Sequence, residues 1–352
     1  MPGTTIIGTG HFVPGEPVHN DALARVMDTN DDWIHQRTGI RQRYYAEDGT
    51  GSSDLGKEAA VRALKAAKVS PEEVDYILCA TMTPEFVYPG SGGLLGAKLG
   101  IPGVPALDIR MQCAAIPFAL QVADGLINTG AANTVLLVGA EVQSGFMPWN
   151  DWDTVRGRAQ NKIPQEDWDK ATRQRGVSVL FGDGAGAFVL RKSEIEGHGL
   201  IGSALYTDGR DVKLIYVQGG GFTKHPYVSK ETLENDDLYP RMQGRDLFKS
   251  AAVRLPKAVR EVCLRCNINI DDIDYFVAHQ ANDRINEAVR HSLKVPTEKI
   301  PSNIAKYGNT SAATIPILLD ELILEGRVKK GDLLCFLALG AGLHWGASLL
   351  RL

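Results

Sequence analysis

Val69-Ser-Pro-Glu-Glu-Val-Asp-Tyr76 and Ile268-Asn-Ile-Asp-Asp-Ile-Asp-Tyr275 are two versions of one pattern. Each sets a short acidic turn and then Asp-Tyr ahead of an apolar run, Ile77-Leu-Cys-Ala80 in the first and Phe276-Val-Ala278 in the second. They align without a gap, with Asp75 and Asp274 offset by 199 residues. In the first copy Ser70 suits an N-cap, Pro71 the first turn and Glu73 the far side of a capping box. A second pair of segments keeps nearly the same offset. Cys113-Ala-Ala-Ile-Pro117 matches Ser311-Ala-Ala-Thr-Ile-Pro316 with one extra residue in the later copy, an offset of 198. Each is followed by a helical pattern (121–129, 318–325) and an apolar run (135–138, 333–337). Gly186-Ala-Phe-Val-Leu-Arg191 and Gly346-Ala-Ser-Leu-Leu-Arg351 close the two copies alike.

Independent segments at one offset point to a duplicated chain, with halves at 1–192 and 193–352 packed as one body. Strand-like runs at 5–8, 76–80, 135–138, 187–190, 275–278 and 333–337 alternate with helical patterns at 53–67, 114–129, 244–267, 281–294 and 312–325. That alternation is the mark of an α/β architecture. A site between the halves draws residues from both.

Composition narrows the class. The 352 residues hold 38 Lys and Arg against 42 Asp and Glu, a net charge of −4, which argues against a general nucleic-acid binder. No apolar run approaches the ~18 residues of a membrane span, and the N-terminus shows no basic-then-apolar leader pattern. Five cysteines are too few and too scattered for a disulfide framework, so a cytoplasmic setting is expected.

Three residues carry candidate chemistry. Cys113 follows a short strand-like run and opens a helix, and the positive end of a helix favours a thiolate. His279 stands where the apolar run Tyr275-Phe-Val-Ala278 ends, the place where α/β sheets bind ligands. Asn309 lies in a turn leading into another helix, Tyr307-Gly-Asn-Thr-Ser311. Taken singly, each is as well read as structural: a core thiol, a hydrogen-bonded strand-end histidine, a turn asparagine. The glycine-rich stretches at 182–186 and 340–346 do not run from a strand into a helix as dinucleotide loops do. Such a turn can instead offer backbone N–H groups to an oxyanion. Cys263-Leu-Arg-Cys266 sits inside a helical pattern with no second ligand pair, so no metal site is expected.

With these pieces in order, the chain resembles the beta-ketoacyl-acyl-carrier-protein synthase III family of thiolase-like condensing enzymes. The resemblance runs nearly end to end and is carried by Asp32-Trp-Ile-His-Gln-Arg-Thr-Gly-Ile40, Cys113-Ala-Ala115, Gly182-Asp-Gly-Ala-Gly186, His279-Gln-Ala-Asn282 and Gly308-Asn-Thr-Ser-Ala312. It implies a layered αβαβα fold and a Cys113, His279, Asn309 catalytic set. Cys113 takes an acyl group from acyl-CoA or acyl carrier protein. Malonyl-acyl carrier protein loses CO2, His279 Nε2–H and Asn309 stabilise the enolate, and the backbone N–H groups of Cys113 and Ala341 hold the second oxyanion. By the same resemblance Trp33 and Arg37 bracket the adenine of coenzyme A, Asn282 orders the substrate pocket beside His279, Phe248 lines the pantetheine channel, and Lys249 and Arg284 dock an acidic carrier protein. No cofactor is permanently bound, and a homodimer is implied, its sheet continued across a two-fold axis near the apolar stretches 135–140 and 181–189. The alternative is an acyltransferase or non-decarboxylative condensing enzyme of the same fold. Asn309 favours the decarboxylating reading, because acyltransferase relatives tend to lose that residue.

Three departures stand out. Leu339 replaces a phenylalanine common in the family before its glycine-rich turn. His344 replaces a small residue or threonine. The segment between Glu141 and Arg175 is longer than in compact members and holds Phe146, Trp149, Trp152 and Trp168. So many rings should be buried, against the acyl tunnel mouth or the partner subunit; the family position predicts that they shape the acyl pocket, the alternative being that they only enlarge the dimer contact.

Overall fold

A computed structural model of the chain describes residues 3–352. One sheet comprises β1 (Thr4–Phe12), β2 (Tyr76–Ala80), β3 (Ala106–Ile109), β4 (Thr134–Glu141) and β5 (Gly184–Lys192), in spatial order β1-β5-β4-β2-β3. The other comprises β6 (Gly199–Thr207), β7 (Tyr275–Ala278), β8 (Leu333–Gly340) and β9 (His344–Arg351), in order β6-β9-β8-β7. In both, the first two pairings are antiparallel and the next is parallel. The second sheet therefore repeats the first, short of a counterpart for β3. The main helices are α1 (Asp31–Thr38), α2 (Ser52–Ala67), α3 (Ser91–Lys98), α4 (Ala115–Asn128), α5 (Gln165–Ser178), α6 (Gly244–Cys266), α7 (Asp283–Leu293) and α8 (Thr314–Leu324).

The Asp-Tyr repeat is a strand clamp. Asp75 Oδ2 accepts the N–H groups of Asn133 and Thr134 at 2.6 and 3.0 Å, and Asp274 Oδ2 accepts that of Leu333 at 2.7 Å. These bonds start β4 beside β2 and β8 beside β7, with Tyr76 opposite Val135 and Tyr275 opposite Leu334. The backbone also corrects the second alignment. Gln112 and Ser311 have φ of 46° and 50°, and each opens a 3₁₀ turn that leads into α4 or α8. Gln112 is thus the counterpart of Ser311, this segment shares the 199-residue offset of the Asp-Tyr pair, and no residue is inserted between them. The small side chains shared by Cys113-Ala-Ala115 and Ser311-Ala-Ala313 hide the one-residue slip.

Alternation along the strands builds the layers. Leu78, Leu137 and Leu190 from one sheet and Leu334 and Phe336 from the other close on α4 and α8, which lie between the sheets. Ile77, Leu136 and Val138 face outward onto α2, and Phe276, Cys335 and Leu337 face outward onto α6 and α7. Sheets covered on both faces need near-continuous apolar strands, as in Leu333-Leu-Cys-Phe-Leu-Ala-Leu339. A helix between two sheets must be apolar nearly all round, and α8 (Thr-Ile-Pro-Ile-Leu-Leu-Asp-Glu-Leu-Ile-Leu) is. Its buried Asp320 is satisfied by Thr9 Oγ1 and His11 Nδ1, both at 2.6 Å. The result is the layered αβαβα arrangement.

Two features differ from expectation. Residues 135–140 belong to β4 and 184–189 to β5, interior strands paired on both sides. They cannot continue the sheet across a two-fold axis. The free edge on that side is β3, where Leu107 is exposed. Phe146, Trp149 and Trp152, after Glu141, pack away from the Cys113 pocket. Trp149, Trp152 and Tyr45 form a ring cluster with centroids 5.2–5.9 Å apart, buried against Leu23, Val26 and Met27.

Candidate active site

Cys113 follows β3, His279 follows β7 and Asn309 precedes α8, so all three reach the same end of the sheets. They line one pocket, open to solvent, together with Ala341, Phe248 and Asn282. Apart from Asn286 its remaining wall is apolar, with Leu247, Ala251 and Leu255 from α6 and Ile215 and Met242 from the segment covering the site.

The Cys113 turn is held by a close backbone approach. A Cβ on Gly340 would stand 2.7 Å from Ala114 N and 3.0 Å from Cys113 N. Only glycine lets the 340–342 turn lie against the turn bearing the thiol, which brings Ala341 beside Cys113. The thiol itself corrects a sequence expectation. It is buried, and burial pushes its pKa up to about 12, against a lowering hydrogen bond with Ser311. The helix-end field is the weaker effect here, because removing a thiolate from water can cost several pKa units. Cys113 rests as the thiol, and Sγ donates to Ser311 Oγ at 3.4 Å.

His279 extends β7 by donating its N–H to Leu337 O at 2.9 Å. Burial pushes its pKa down to about 3, so the ring is neutral. Nδ1 lies 2.7 Å from Thr314 Oγ1, which also lies 3.0 Å from Ser311 O. The hydroxyl has one proton. Giving it to Nδ1 fixes the Nε2–H tautomer, whereas giving it to Ser311 O places the ring proton on Nδ1. Thr314 therefore selects which ring nitrogen can donate into the pocket.

Asn309 is fixed on three sides. Its N–H donates to Leu180 O at 2.8 Å, its carbonyl accepts Gly182 N–H at 3.1 Å, and its Oδ1 accepts Ser311 N–H at 2.8 Å. The side-chain amide Nδ2 is left to donate into the pocket. Gly308 (φ 65°, ψ −160°) takes a conformation almost confined to glycine. A Cβ on Gly182 would meet Tyr307 O at 2.7 Å. Arg43, fully buried, donates to Val179 O and Val18 O at 3.0 and 3.3 Å beneath this crossing. Gly186 abuts Pro316 of α8, and Asp183 accepts Ala46 and Ser144 N–H groups, so the 182–186 stretch is a packing device.

The remaining expected residues lie at or beyond the mouth. Asn282 caps α7 through Arg284 N–H (3.0 Å) and donates Nδ2–H to Arg37 O (2.9 Å), tying α7 to α1. Arg37 Cζ lies 4.5 Å from the Trp33 ring centroid, and Arg175 Cζ lies 4.9 Å from it. Arg175 is itself held by Asp28. Arg284 reaches over Phe248 at 5.9 Å, and Lys249 is exposed beside Asp246. Leu339 lines the pocket next to Gly340. His344 is 2.9 Å from Thr207 Oγ1 and edge-on to Phe118, away from the pocket walls. Sequence reasoning missed Ser311, Thr314 and Arg175 as partners of Cys113, His279 and Trp33. The first two lie within six residues of Asn309 in the motif already singled out, whereas nothing in the sequence pairs Arg175 with Trp33.

Fold and site together define a thiolase-like condensing enzyme with cysteine, histidine and asparagine in one pocket. The family description 3-oxoacyl-[acyl-carrier-protein] synthase III matches residues 107–157 and 165–209, and its C-terminal counterpart matches 263–352. The chain is 38% identical over 351 residues to a beta-ketoacyl-[acyl-carrier-protein] synthase III of Rhizorhabdus wittichii, covering all of both chains. It superposes on the crystal structure of the Aquifex aeolicus 3-oxoacyl-[acyl-carrier-protein] synthase III with a TM-score of 0.85 and 38% identity, covering 99% of this chain and 100% of that one. The priming beta-ketosynthase of the R1128 polyketide pathway gives 0.84 at 27% identity, covering 100% and 96%. This chain belongs to the beta-ketoacyl-[acyl-carrier-protein] synthase III family, and it is an acyltransferase of the condensing type.

Proposed function

We propose that the chain loads an acyl group from an acyl-CoA onto Cys113 and condenses it with malonyl-acyl carrier protein, releasing CO2 and a 3-oxoacyl product. The observation that carries this is the convergence of a buried thiol, a neutral imidazole and an oriented amide on one apolar pocket. Thiol attack gives an acyl-enzyme and splits the reaction into two steps. Loss of CO2 leaves an enolate whose oxygen needs donors that are not themselves acids. His279 Nε2–H, available when Thr314 gives its proton to Nδ1, and Asn309 Nδ2–H serve that role. The enolate carbon attacks acyl-Cys113, and the backbone N–H groups of Cys113 and Ala341 take the resulting oxyanion. The apolar wall excludes water, protecting both intermediates from hydrolysis and proton capture.

The surroundings support the further assignments. Trp33 with Arg37 and Arg175 offers a stacking surface for the adenine of coenzyme A. Phe248 and Asn282 stand along the channel inward, and Lys249 and Arg284 present positive charge at its mouth for an acidic carrier protein. This chemistry calls for no permanently bound cofactor. Family membership favours a homodimer, and the apolar surface suited to it is Leu107 on the β3 edge with Phe86, Val87 and Tyr88, all exposed. The repeat supports halves at 1–192 and 193–352. Among the described residues no helix is long and apolar enough to cross a membrane; we place the enzyme in the cytoplasm. Intact-mass measurement after acyl-CoA should show one acyl group per chain, lost in Cys113→Ala. An adduct on Cys79, Cys263, Cys266 or Cys335 instead would refute the assignment.

A further inference from the structure

Asn286 is the one polar side chain of the pocket wall that the reaction above leaves without a task. It is 4% exposed, and among the described residues its Nδ2 has no hydrogen-bond partner. It stands on α7 one turn after Asn282, on the same face of the helix. The same pocket is walled by Ala251 and Leu255 from α6, Ala278 from β7 and Leu337 from β8, whose side chains offer no acceptor. Buried polar groups are otherwise paired, and an unpaired donor destabilises the fold. A leucine of similar size would fill the place without that penalty. The amide is therefore a group whose partner arrives with the substrate.

The condensation brings one charged group into this pocket, the free carboxylate of the malonyl unit. Among the described residues no Lys, Arg, Asp or Glu lines the pocket to meet or repel it. The other polar side chains are already spent. Asn282 gives Nδ2–H to Arg37 O and accepts Arg284 N–H on Oδ1. His279 Nε2–H and Asn309 Nδ2–H serve the thioester oxygen that becomes the enolate. Asn286 remains. No hydrogen bond fixes its amide, and a torsion ending in an amide is broad and roughly two-fold, so Nδ2 can turn to the pocket side. A neutral donor also suits a carboxylate that must be lost. It orients the group, whereas a Lys or Arg would stabilise the charge that decarboxylation has to leave behind.

We propose that Asn286 Nδ2–H holds the free carboxylate of the malonyl unit and so selects a malonyl over a plain acyl thioester for the second half-reaction. The inference rests on the decarboxylating reading of this site. The bond from the α-carbon to the carboxylate breaks with its electron pair passing into the enolate held by His279 and Asn309. The carboxylate leaves Asn286 as neutral CO2. The enolate carbon then bonds the acyl carbon, and Cys113 departs with the C–S electron pair and regains its proton from solvent. Asn286 thus binds the ground state of the malonyl unit more strongly than its transition state, so its loss is read in KM and not in kcat.

Enzyme carrying octanoyl on Cys113, mixed with malonyl-acyl carrier protein and followed by CO2 release, tests this. Asn286→Leu should raise the KM for malonyl-acyl carrier protein roughly 10–100-fold, the scale of a hydrogen bond to a charged group, with kcat within about threefold of wild type. Acetyl-acyl carrier protein has the same arm and no free carboxylate. Its inhibition constant should stay within about threefold, as should the rate of octanoyl loading. Wild type should bind malonyl-acyl carrier protein at least about tenfold tighter than the acetyl form, a preference the variant loses. A merely structural Asn286 would move loading and acetyl inhibition along with KM, overturning the assignment, as would an unchanged KM. Should Asn286→Leu not fold, wild type decides: equal affinity for the malonyl and acetyl forms overturns it. A wild type that loads octanoyl but releases no CO2 overturns the decarboxylating reading and this assignment together, whereas normal CO2 release by Asn286→Leu at wild-type KM overturns this assignment alone.

Discussion

The Cys113 thiol meets the Ser311 hydroxyl at 3.4 Å although 198 residues separate them in sequence. Ser311 is the backbone counterpart of Gln112, so the two equivalent turns of the repeat pack on each other. One copy supplies the thiol. The other supplies, within six residues, the amide of Asn309, the hydroxyl beside Cys113 and the hydroxyl beside His279. Duplication followed by divergence of one turn is enough to build this site.

His279→Ala and Asn309→Ala should each cut condensation roughly 10²–10³-fold, the scale of a lost oxyanion donor, while Cys113 still acquires its acyl group. Separate assays of acyl loading and of malonyl decarboxylation check this. If Asn309→Ala blocks loading but spares decarboxylation, its assignment is wrong.

Thr314→Val removes the hydroxyl that selects the His279 tautomer. Condensation should fall about tenfold or more, with loading within a few-fold of wild type, because a donor of the wrong tautomer points away from the enolate. Thr314→Ser keeps the hydroxyl and should restore most of the rate. A Val variant with unchanged condensation would show that Thr314 only fills space.

Trp149 is buried among Tyr45, Trp152 and Met27, not against the pocket. Trp149→Ala should therefore cost stability, about 3–5 kcal/mol as for other large core truncations. It should leave the ranking of acetyl-, octanoyl- and longer acyl-CoA substrates as it was. A changed ranking would return the segment to the pocket.

Two buried groups give stability opposite pH dependences. His279 drops from 6.5 to about 3 on folding, so the unfolded chain binds more protons there between those values. That contribution is present above 6.5 and lost as pH falls toward 3. Glu141 rises from 4.5 to about 7, so its contribution is present below 4.5 and lost as pH rises through 7. Glu141→Gln cannot titrate. Its Tm relative to wild type should therefore improve between about pH 5 and about pH 8. A constant difference across that range would mean Glu141 is ionised throughout.

Much of this was legible in the chain. The Asp-Tyr repeat placed β2 and β7 at their observed bounds, because a clamp before an apolar run is a local signal. Cys113, His279 and Asn309 were legible because each sits where a strand or turn meets a helix. The edge strand β3, Ala-Leu-Asp-Ile, was legible only as a short strand-like run into Cys113, and nothing in its four residues marked it as the free edge of the sheet. The thiol pKa was misjudged because burial depends on what covers the turn, and Gly340 and α8 arrive from more than 190 residues away. The aromatic segment was misplaced for a similar reason: the need to bury rings was clear, but not that Tyr45 would receive them.

The central claim is that acyl-Cys113 is consumed by a decarboxylating condensation. Enzyme preloaded with octanoyl-CoA and freed of excess reagent should be mixed with malonyl-acyl carrier protein carrying label in the free carboxyl, with CO2 and protein mass followed together. The account predicts one labelled CO2 for each acyl group lost from Cys113, and a carrier protein heavier by the 3-oxoacyl product. Loss of the acyl group without CO2, or CO2 release while acyl-Cys113 persists, would contradict it.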